Sequence, residues 1–433
     1  MALPPIAFTV LWMRNVLLYI QFNPILGYIS ALSEIQAYQT SQADRQLPPH
    51  VYSKCKTILK SMCHSSKSQC CVLTGDSASG KTESLKHFLG YIVNVVVPIQ
   101  ASLKLKFLQV QFIVEAFGNA VTVQNKNSSR FAMYYEAYFS PEFKLSGGKI
   151  HHYMLEKSRV VHQEKGGKNF HIFHYLLYGM HADQLQEYSL TSDYLHRYMA
   201  YDPSVSSEDD ASKATLSEKY SKMLSYMEAV GFTNEEITNI LKCLASVLHI
   251  GNISFGAMSQ QSNSAFVKDP QPVHCASSLL GVSVDEMGEA LVKGTAYQKG
   301  VKVAIQKSVN LAAEGRDNLA KALYSRLFSW LVIKVNSCLK ERGEEHRHSV
   351  GPSLGLLDVF GFEKFEINGL EQLCINTANE QLAYFYNQRV FVWEQAEFES
   401  EGLRSQKISY YDNKKTVDLL LNPLQGLLPI FDS

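Results

Sequence analysis

Ser68-Gln-Cys-Cys-Val-Leu-Thr-Gly-Asp-Ser-Ala-Ser-Gly-Lys-Thr-Glu-Ser84 is the stretch on which the reading of this chain turns. Its apolar run, Cys70 to Leu73, has the length and bulk of a strand buried on both faces. The run breaks into Gly75-x-x-x-x-Gly80-Lys81-Thr82, and a helix-compatible segment follows from Lys81 to about Val97. Strand, glycine loop and helix start, in that order, form a phosphate cradle. Loop N–H groups point at the anion and the helix dipole adds partial positive charge. The expected contacts are Gly75, Asp76, Ser77, Ala78, Ser79 and Gly80, with Lys81 reaching the β- and γ-phosphates and the Thr82 hydroxyl on Mg²⁺. A nucleoside triphosphate is the expected ligand; the loop alone does not define the reaction.

Composition narrows the class. The chain has 433 residues, enough for two or three subdomains, with 46% hydrophobic and 19% charged residues, values of a soluble globular protein. Its 41 basic residues balance 41 acidic ones, so no global field argues for nucleic acid or an acidic membrane as partner. Eight cysteines show neither zinc-type spacing nor a dense disulfide framework, which fits a reducing, cytoplasmic setting. The apolar N-terminal stretches are interrupted by Arg14, Asn15, Asn23, Pro24 and Gly27. No uninterrupted span reaches the roughly 20 residues a membrane helix needs. A core strand at Val16 to Phe22 with a turn at Asn23-Pro24 is expected instead.

Outward from the loop, Pro48-Pro49 opens an amphipathic helix to about Met62, with Val51, Cys55, Ile58, Leu59 and Met62 on one face. Lys104 to Phe117 reads as a helix. Ala132 to Phe139 and Lys149 to Leu155 read as strands joined by a Ser146-Gly147-Gly148 turn. From about His162 to Lys340 the pattern is mostly helical, with a solvated loop at Ser204 to Glu218. Thr233 is expected to cap a helix with Glu236 three residues on, and a long helix runs from about Leu311 to Leu339. A charged loop, Glu341 to Pro352, leads to a buried strand at Ser353 to Phe360. Last comes a helix from Leu370 to about Phe398, most of whose aromatics (Tyr384, Phe385, Tyr386, Phe391, Trp393 and Phe398) are expected to face the core.

Two further loops carry γ-phosphate chemistry. Asp358, ending its strand, can hold Mg²⁺ through water, and Gly361 lets a backbone N–H approach the γ-phosphate. Ser128 and Ser129 supply hydroxyls, one for the metal and one near the attacking water. Arg130 and Glu363 are opposite charges on separate loops; paired, they would close the site against bulk water.

The three loops together resemble those of the myosin head. Gly75-Asp-Ser-Ala-Ser-Gly-Lys-Thr82 looks like its phosphate loop. Asn125-Lys-Asn-Ser-Ser-Arg-Phe131 looks like switch I, and Asp358-Val-Phe-Gly-Phe-Glu363 like switch II. Glu115-Ala-Phe-Gly-Asn119, Leu155-Glu-Lys-Ser-Arg-Val160, Asn169-Phe-His-Ile-Phe173, Leu248-His-Ile-Gly-Asn-Ile253 and Glu371-Gln-Leu-Cys-Ile-Asn-Thr-Ala-Asn-Glu380 are similar as well. Kinesin shares the switch chemistry, but the long interval between Arg130 and Asp358 leaves room for the helical insert of myosin.

The resemblance implies an α/β fold: a P-loop NTPase with a mixed central sheet and a large helical insert. It divides the chain into a nucleotide-binding core over 1–160, the helical insert over 161–350, and switch II with the relay helix over 351–433. It implies ATP and Mg²⁺ as ligands, with Thr82, Ser129 and Asp358 around the metal. Ser77 and Ser128 would lie at the γ-phosphate and attacking water, and Asn125 would approach the nucleotide. The Gly361 amide would meet the γ-phosphate, and Arg130 with Glu363 would form the closing pair. It implies an actin-based motor ATPase of the cytoplasmic actin cytoskeleton; the alternative is a truncated non-motor fragment acting through interactions.

Departures are Asp76, Ala78 and Ser79 where the family shows Glu, Gly and Ala, and Ala132-Met133 in place of Gly-Lys. Tyr28 is the candidate for packing near the base. No light-chain-binding IQ helix is present. A family N-terminal subdomain, one transducer strand, the converter and the lever are expected to be missing. The chain alone is then expected to be poorly stable and unable to move filaments.

Overall fold

The structure, a computed structural model, describes residues 8–12, 17–21, 32–40, 50–191, 196–199, 210–258, 263–298, 301–340, 351–403 and 409–432. They form two compact units. One comprises Met1–Leu108, Phe131–Tyr153 and Leu339–Ser433; the other comprises Gln109–Arg130 and Met154–Cys338. The expected turn at Asn23-Pro24, Tyr28, and residues 341–350 of the expected charged loop lie outside the described residues. No helix among the described residues is long and apolar enough to cross a membrane.

The first unit is built on a six-stranded mixed sheet in the spatial order Leu17–Gln21, Phe8–Trp12, Gln69–Thr74, Ser353–Asp358, Ala132–Phe139, Leu145–Tyr153. Gln69–Thr74 sits centrally because its sequence has two apolar faces: Cys71 and Leu73 are fully buried and Val72 nearly so. It runs parallel to Ser353–Asp358, with Leu73 opposite Asp358, while every other pairing in the sheet is antiparallel. The parallel pair therefore brings its two C-terminal ends, Thr74 and Asp358, to the same edge. That edge is where α/β sheets present their ligand loops.

The helix Val51–Ser65 buries the expected face, and its N-cap is His50, whose Nδ1 accepts the Tyr52 N–H at 3.2 Å. The helix Lys81–Val95 packs Leu85, Phe88, Leu89 and Ile92 inward.

Two expectations for this unit fail. Gly147 and Gly148 lie inside the strand Leu145–Tyr153, and the reversal falls earlier, between Ser140 and Lys144. There Phe143 takes a φ of 60° and the Ser140 N–H bonds the Lys144 carbonyl at 2.8 Å. The glycines answer to packing: a Cβ on Gly148 would stand 2.7 Å from Phe107 Cζ and 2.9 Å from the Glu136 carbonyl oxygen. The aromatic helix after switch II is also not a core helix along its length. It runs as an α-helix Leu370–Asn387, a π-helical stretch Gln388–Trp393 and a short α-helix, Glu394–Ser400. Phe385, Trp393 and Phe398 are about two-fifths exposed. Phe385 is edge-on to Trp393, Tyr386 to Phe391, and Phe391 stacks on Tyr410 at 4.8 Å.

The second unit is mostly helical, as expected. Tyr324, on the long helix Val309–Leu339, stacks on Phe170 and Phe173 and donates its hydroxyl to the Phe117 carbonyl at 2.5 Å. Thr233 and Glu236 form the expected reciprocal cap of the helix Asn234–Asn252. The expected Ser204 to Glu218 loop is helical from Asp210, within Asp210–Val230. Packing decides this, because a Cβ on Gly179 would meet Tyr220 Cβ at 2.5 Å and the Leu216 carbonyl at 2.9 Å. The strand pairs Phe255–Ala257 with Ala265–Val267, and Lys293–Gln298 with Val301–Gln306, interrupt what read as helical sequence.

His174, on the helix His171–Gly179, is buried with neither ring nitrogen hydrogen-bonded within the structure. Burial foremost, then the charges of Lys168 and His171, push it down to about 3. The folded value lies below the unfolded one, so the unfolded chain takes up the proton first. Stability is therefore unaffected above about pH 6.5 and lost as pH falls toward the folded value. At pH 5 the loss is about 2 kcal/mol. His174→Leu should therefore raise the melting temperature more at pH 5 than at pH 8; an equal shift at both would contradict the assignment.

Candidate nucleotide site

The phosphate loop leaves its strand through Gly75, at φ 147°, and enters the helix Lys81–Val95 through Gly80, at φ 87°. Ala78 holds a φ of 63°, which glycine adopts freely and alanine only at a cost of about 1 kcal/mol. Gly80 gives the helix no side-chain cap, so the donors at this helix start are left to the loop and to an anion. Lys81, 7% exposed, folds back to donate from Nζ to the carbonyls of Gly75 at 2.8 Å and Asp76 at 2.6 Å. Burial pushes its ammonium down to about 8, against the pull of Asp358, Asp76 and Glu363.

Asp358 ends its strand beside this loop, and its Oδ2 accepts the Thr82 hydroxyl at 2.7 Å. The other carboxylate oxygen, Oδ1, is buried with no hydrogen bond in the structure. Burial raises the Asp358 carboxyl, while the Thr82 hydroxyl and Lys81 pull it back. A buried hydroxyl–carboxylate pair with one orphaned oxygen fits a hard divalent cation held with its water shell. Gly361 packs against the phosphate loop so closely that a Cβ there would collide with the Ser77 nitrogen and the Asp76 carbonyl. Glu363, also buried, has its backbone N–H and carbonyl held by the Asn376 side chain at 2.9 and 2.8 Å. In the first unit the structure thus brings together Gly75 to Thr82, Asp358 and Gly361.

Glu363 also lies in the first unit, while Asn125, Ser128, Ser129 and Arg130 lie in the second. Asn119–Ala120 pairs with Ser128–Ser129 as a short antiparallel ribbon, and the Arg130 N–H bonds the Gly118 carbonyl at 2.8 Å. Asn125 closes the bend: its N–H bonds the Thr122 side chain, and its Oδ1 accepts the Asn127 N–H at 2.9 Å. Arg130 is fully buried; Nη1 donates to Ser128 Oγ at 3.0 Å and Nε to Glu156 Oε2 at 2.6 Å. Glu156 Oε2 also accepts Arg159 Nε at 2.6 Å. Burial alone would raise the Glu156 carboxyl, but Arg130 and Arg159 outweigh it and hold it below the usual range. Sequence reading reserved Arg130 for Glu363 and missed Glu156. The available signal was the i,i+3 spacing of Glu156 and Arg159.

A central parallel strand, a Gly75–Thr82 loop opening a helix, and an acid at the end of the neighbouring strand define the phosphate-loop nucleotide-binding class of α/β proteins. Comparison with known proteins narrows the class. The family model described as Myosin head (motor domain) matches residues 12–433. Myosin-IIIb of Mus musculus is 37% identical over 388 residues, covering 89% of this chain and 30% of that protein. Myosin-IIIa of Homo sapiens is 35% identical over 425 residues, covering 96% and 26%. Unconventional myosin-Ic of Mus musculus is 34% identical over 432 residues, covering 97% and 40%. The chain belongs to the myosin head (motor domain) family, and the resemblance read from its loops is borne out. It spans 26 to 40% of the length of these relatives.

Proposed function

We propose that this chain is the nucleotide-handling part of an actin-based motor head, binding and hydrolysing Mg·ATP. The observation that carries the reading is the Thr82–Asp358 hydrogen bond at 2.7 Å beside buried Lys81, a hydroxyl, carboxylate and ammonium gathered at one helix start. Lys81 and the amides of Asp76 to Gly80 neutralise the phosphate oxygens, and the Gly361 N–H donates to the γ-phosphate. Thr82 and Ser129 would hold Mg²⁺ directly and Asp358 through water; the ion would supply positive charge to offset the charge of the phosphates. Ser77 and Ser128 orient the attacking water, Asn125 contacts the nucleotide, and Arg130 with Glu363 closes the site. Actin filaments are the proposed partner, and the cytoplasmic cytoskeleton the proposed location.

Partly exposed Phe385, Trp393 and Phe398, with Leu424 and Phe431 more exposed still, favour a second reading, a fragment that acts through apolar contacts. A single-turnover assay on the purified chain separates the two. Glu363→Gln should keep ATP binding and slow phosphate formation about tenfold or more, through loss of a charge-assisted contact. Filament binding that depends on nucleotide state and is relieved by ATP in cosedimentation fits the motor reading. A wild-type chain that forms no phosphate in Mg²⁺ fits the second.

A further inference from the structure

The loop Asn125 to Arg130 is held at its middle by a side chain that the chemistry above does not use. Asn127 Oδ1 accepts two hydrogen bonds, from Asn119 Nδ2 at 3.1 Å and from His171 Nε2 at 3.0 Å. The three residues come from three different places in the second unit. Asn119 follows the helix Ala101–Gly118, Asn127 sits in the loop, and His171 is the first residue of the helix His171–Gly179. The backbone sets the imidazole there, because Phe170 bridges Ala120 and the Lys168 N–H bonds the Val121 carbonyl at 2.9 Å. Asn127 in turn directly precedes Ser128 and Ser129.

From this we infer that His171 is a positioning residue for the nucleotide chemistry: through the Asn127 carboxamide it fixes where the hydroxyls of Ser128 and Ser129 stand. An amide oxygen can only accept, so Nε2 must carry a proton, and in the neutral ring Nδ1 then lacks one. Burial, with Lys219 and Lys168 near, pushes the imidazole down to about 4, so this neutral donor is the form present at neutral pH. Losing one donor frees the carboxamide to rotate, and with it the loop. A loop that senses the γ-phosphate should then lose its discrimination between triphosphate and diphosphate, while the phosphate loop still holds both.

The inference rests on the nucleotide reading proposed above. It is tested with the purified chain, a fluorescent ATP analogue and the matching ADP analogue, each in Mg²⁺. His171→Leu removes the donor at similar volume, and His171→Gln restores an N–H donor near the place of Nε2. The expected result is about a tenfold loss of the ATP-over-ADP preference in His171→Leu, with ADP affinity kept and the preference largely recovered in His171→Gln. Hydrogen exchange of the peptide spanning Thr122 to Arg130 should rise in the Leu variant and return in the Gln variant. Unchanged preference in a wild-type-like binder overturns the role of His171 and leaves the nucleotide reading intact. Wild-type protein that binds neither analogue overturns both. If both variants lose binding and exchange rises throughout the second unit, His171 serves the fold alone, and the positioning role is overturned.

Discussion

Glu156→Gln should cost the second unit about 3–5 kcal/mol, the largest single-residue stability effect expected in this chain. Its carboxylate stands between two guanidiniums that are 0 and 1% exposed as side chains, and one oxygen serves both at 2.6 Å. An amide of the same shape would still accept from one of them, but it would remove the buried negative charge that the two guanidiniums share. Arg159 also holds Glu164 at 2.9 Å. The sign of the pH dependence follows from the depressed carboxyl. Its stabilisation is fully present above the ordinary unfolded value of about 4.5 and fades as pH falls through the lower folded value. Urea unfolding at pH 7 should therefore separate wild type from Glu156→Gln widely, and the gap should narrow below about pH 4. A difference under about 1 kcal/mol at pH 7 would mean that the triad does not hold Arg130 in place.

What the sequence disclosed, and what it hid, follows from the range of the forces involved. The phosphate loop was legible because glycines, lysine and threonine act there through local backbone geometry, and the doubly apolar Cys70 to Leu73 run could only be central. Asp358 was legible for the same reason, as the polar end of a buried strand. Gly147 and Gly148 misled because glycine marks a turn and a close approach equally well. Partners remote in sequence, the ring of Phe107 and the Leu339 carbonyl among them, decide between the two. The helix from Asp210 was hidden behind a polar composition that tertiary packing against Gly179 overrides. The aromatics from Phe385 to Phe398 obey helical spacing, yet spacing says nothing about what a face meets. Glu156, Asn127 and His171 matter through partners remote in sequence or through a shared oxygen atom, and no single-residue pattern encodes those contacts.

Lys81→Ala carries the second large effect, and it bears on the central claim that the Gly75–Thr82 loop binds the phosphates of a nucleotide. In the structure Nζ sits on the loop's own carbonyls, 2.6 and 2.8 Å away, and its charge is raised in energy by burial. An anion in the loop would relieve that burial cost, so the ammonium contributes more to the bound state than to the free one. Removing it should take away a charge-assisted contact of about 1.5–3 kcal/mol and weaken binding roughly ten- to a hundredfold. The direct measurement is a titration of the purified 433-residue chain with a fluorescent ATP analogue in Mg²⁺, beside Lys81→Ala checked for unchanged helix content. Saturable wild-type binding that weakens by that factor in the variant is the expected result. Equal affinity in the two proteins, or no binding by the wild type, would contradict it.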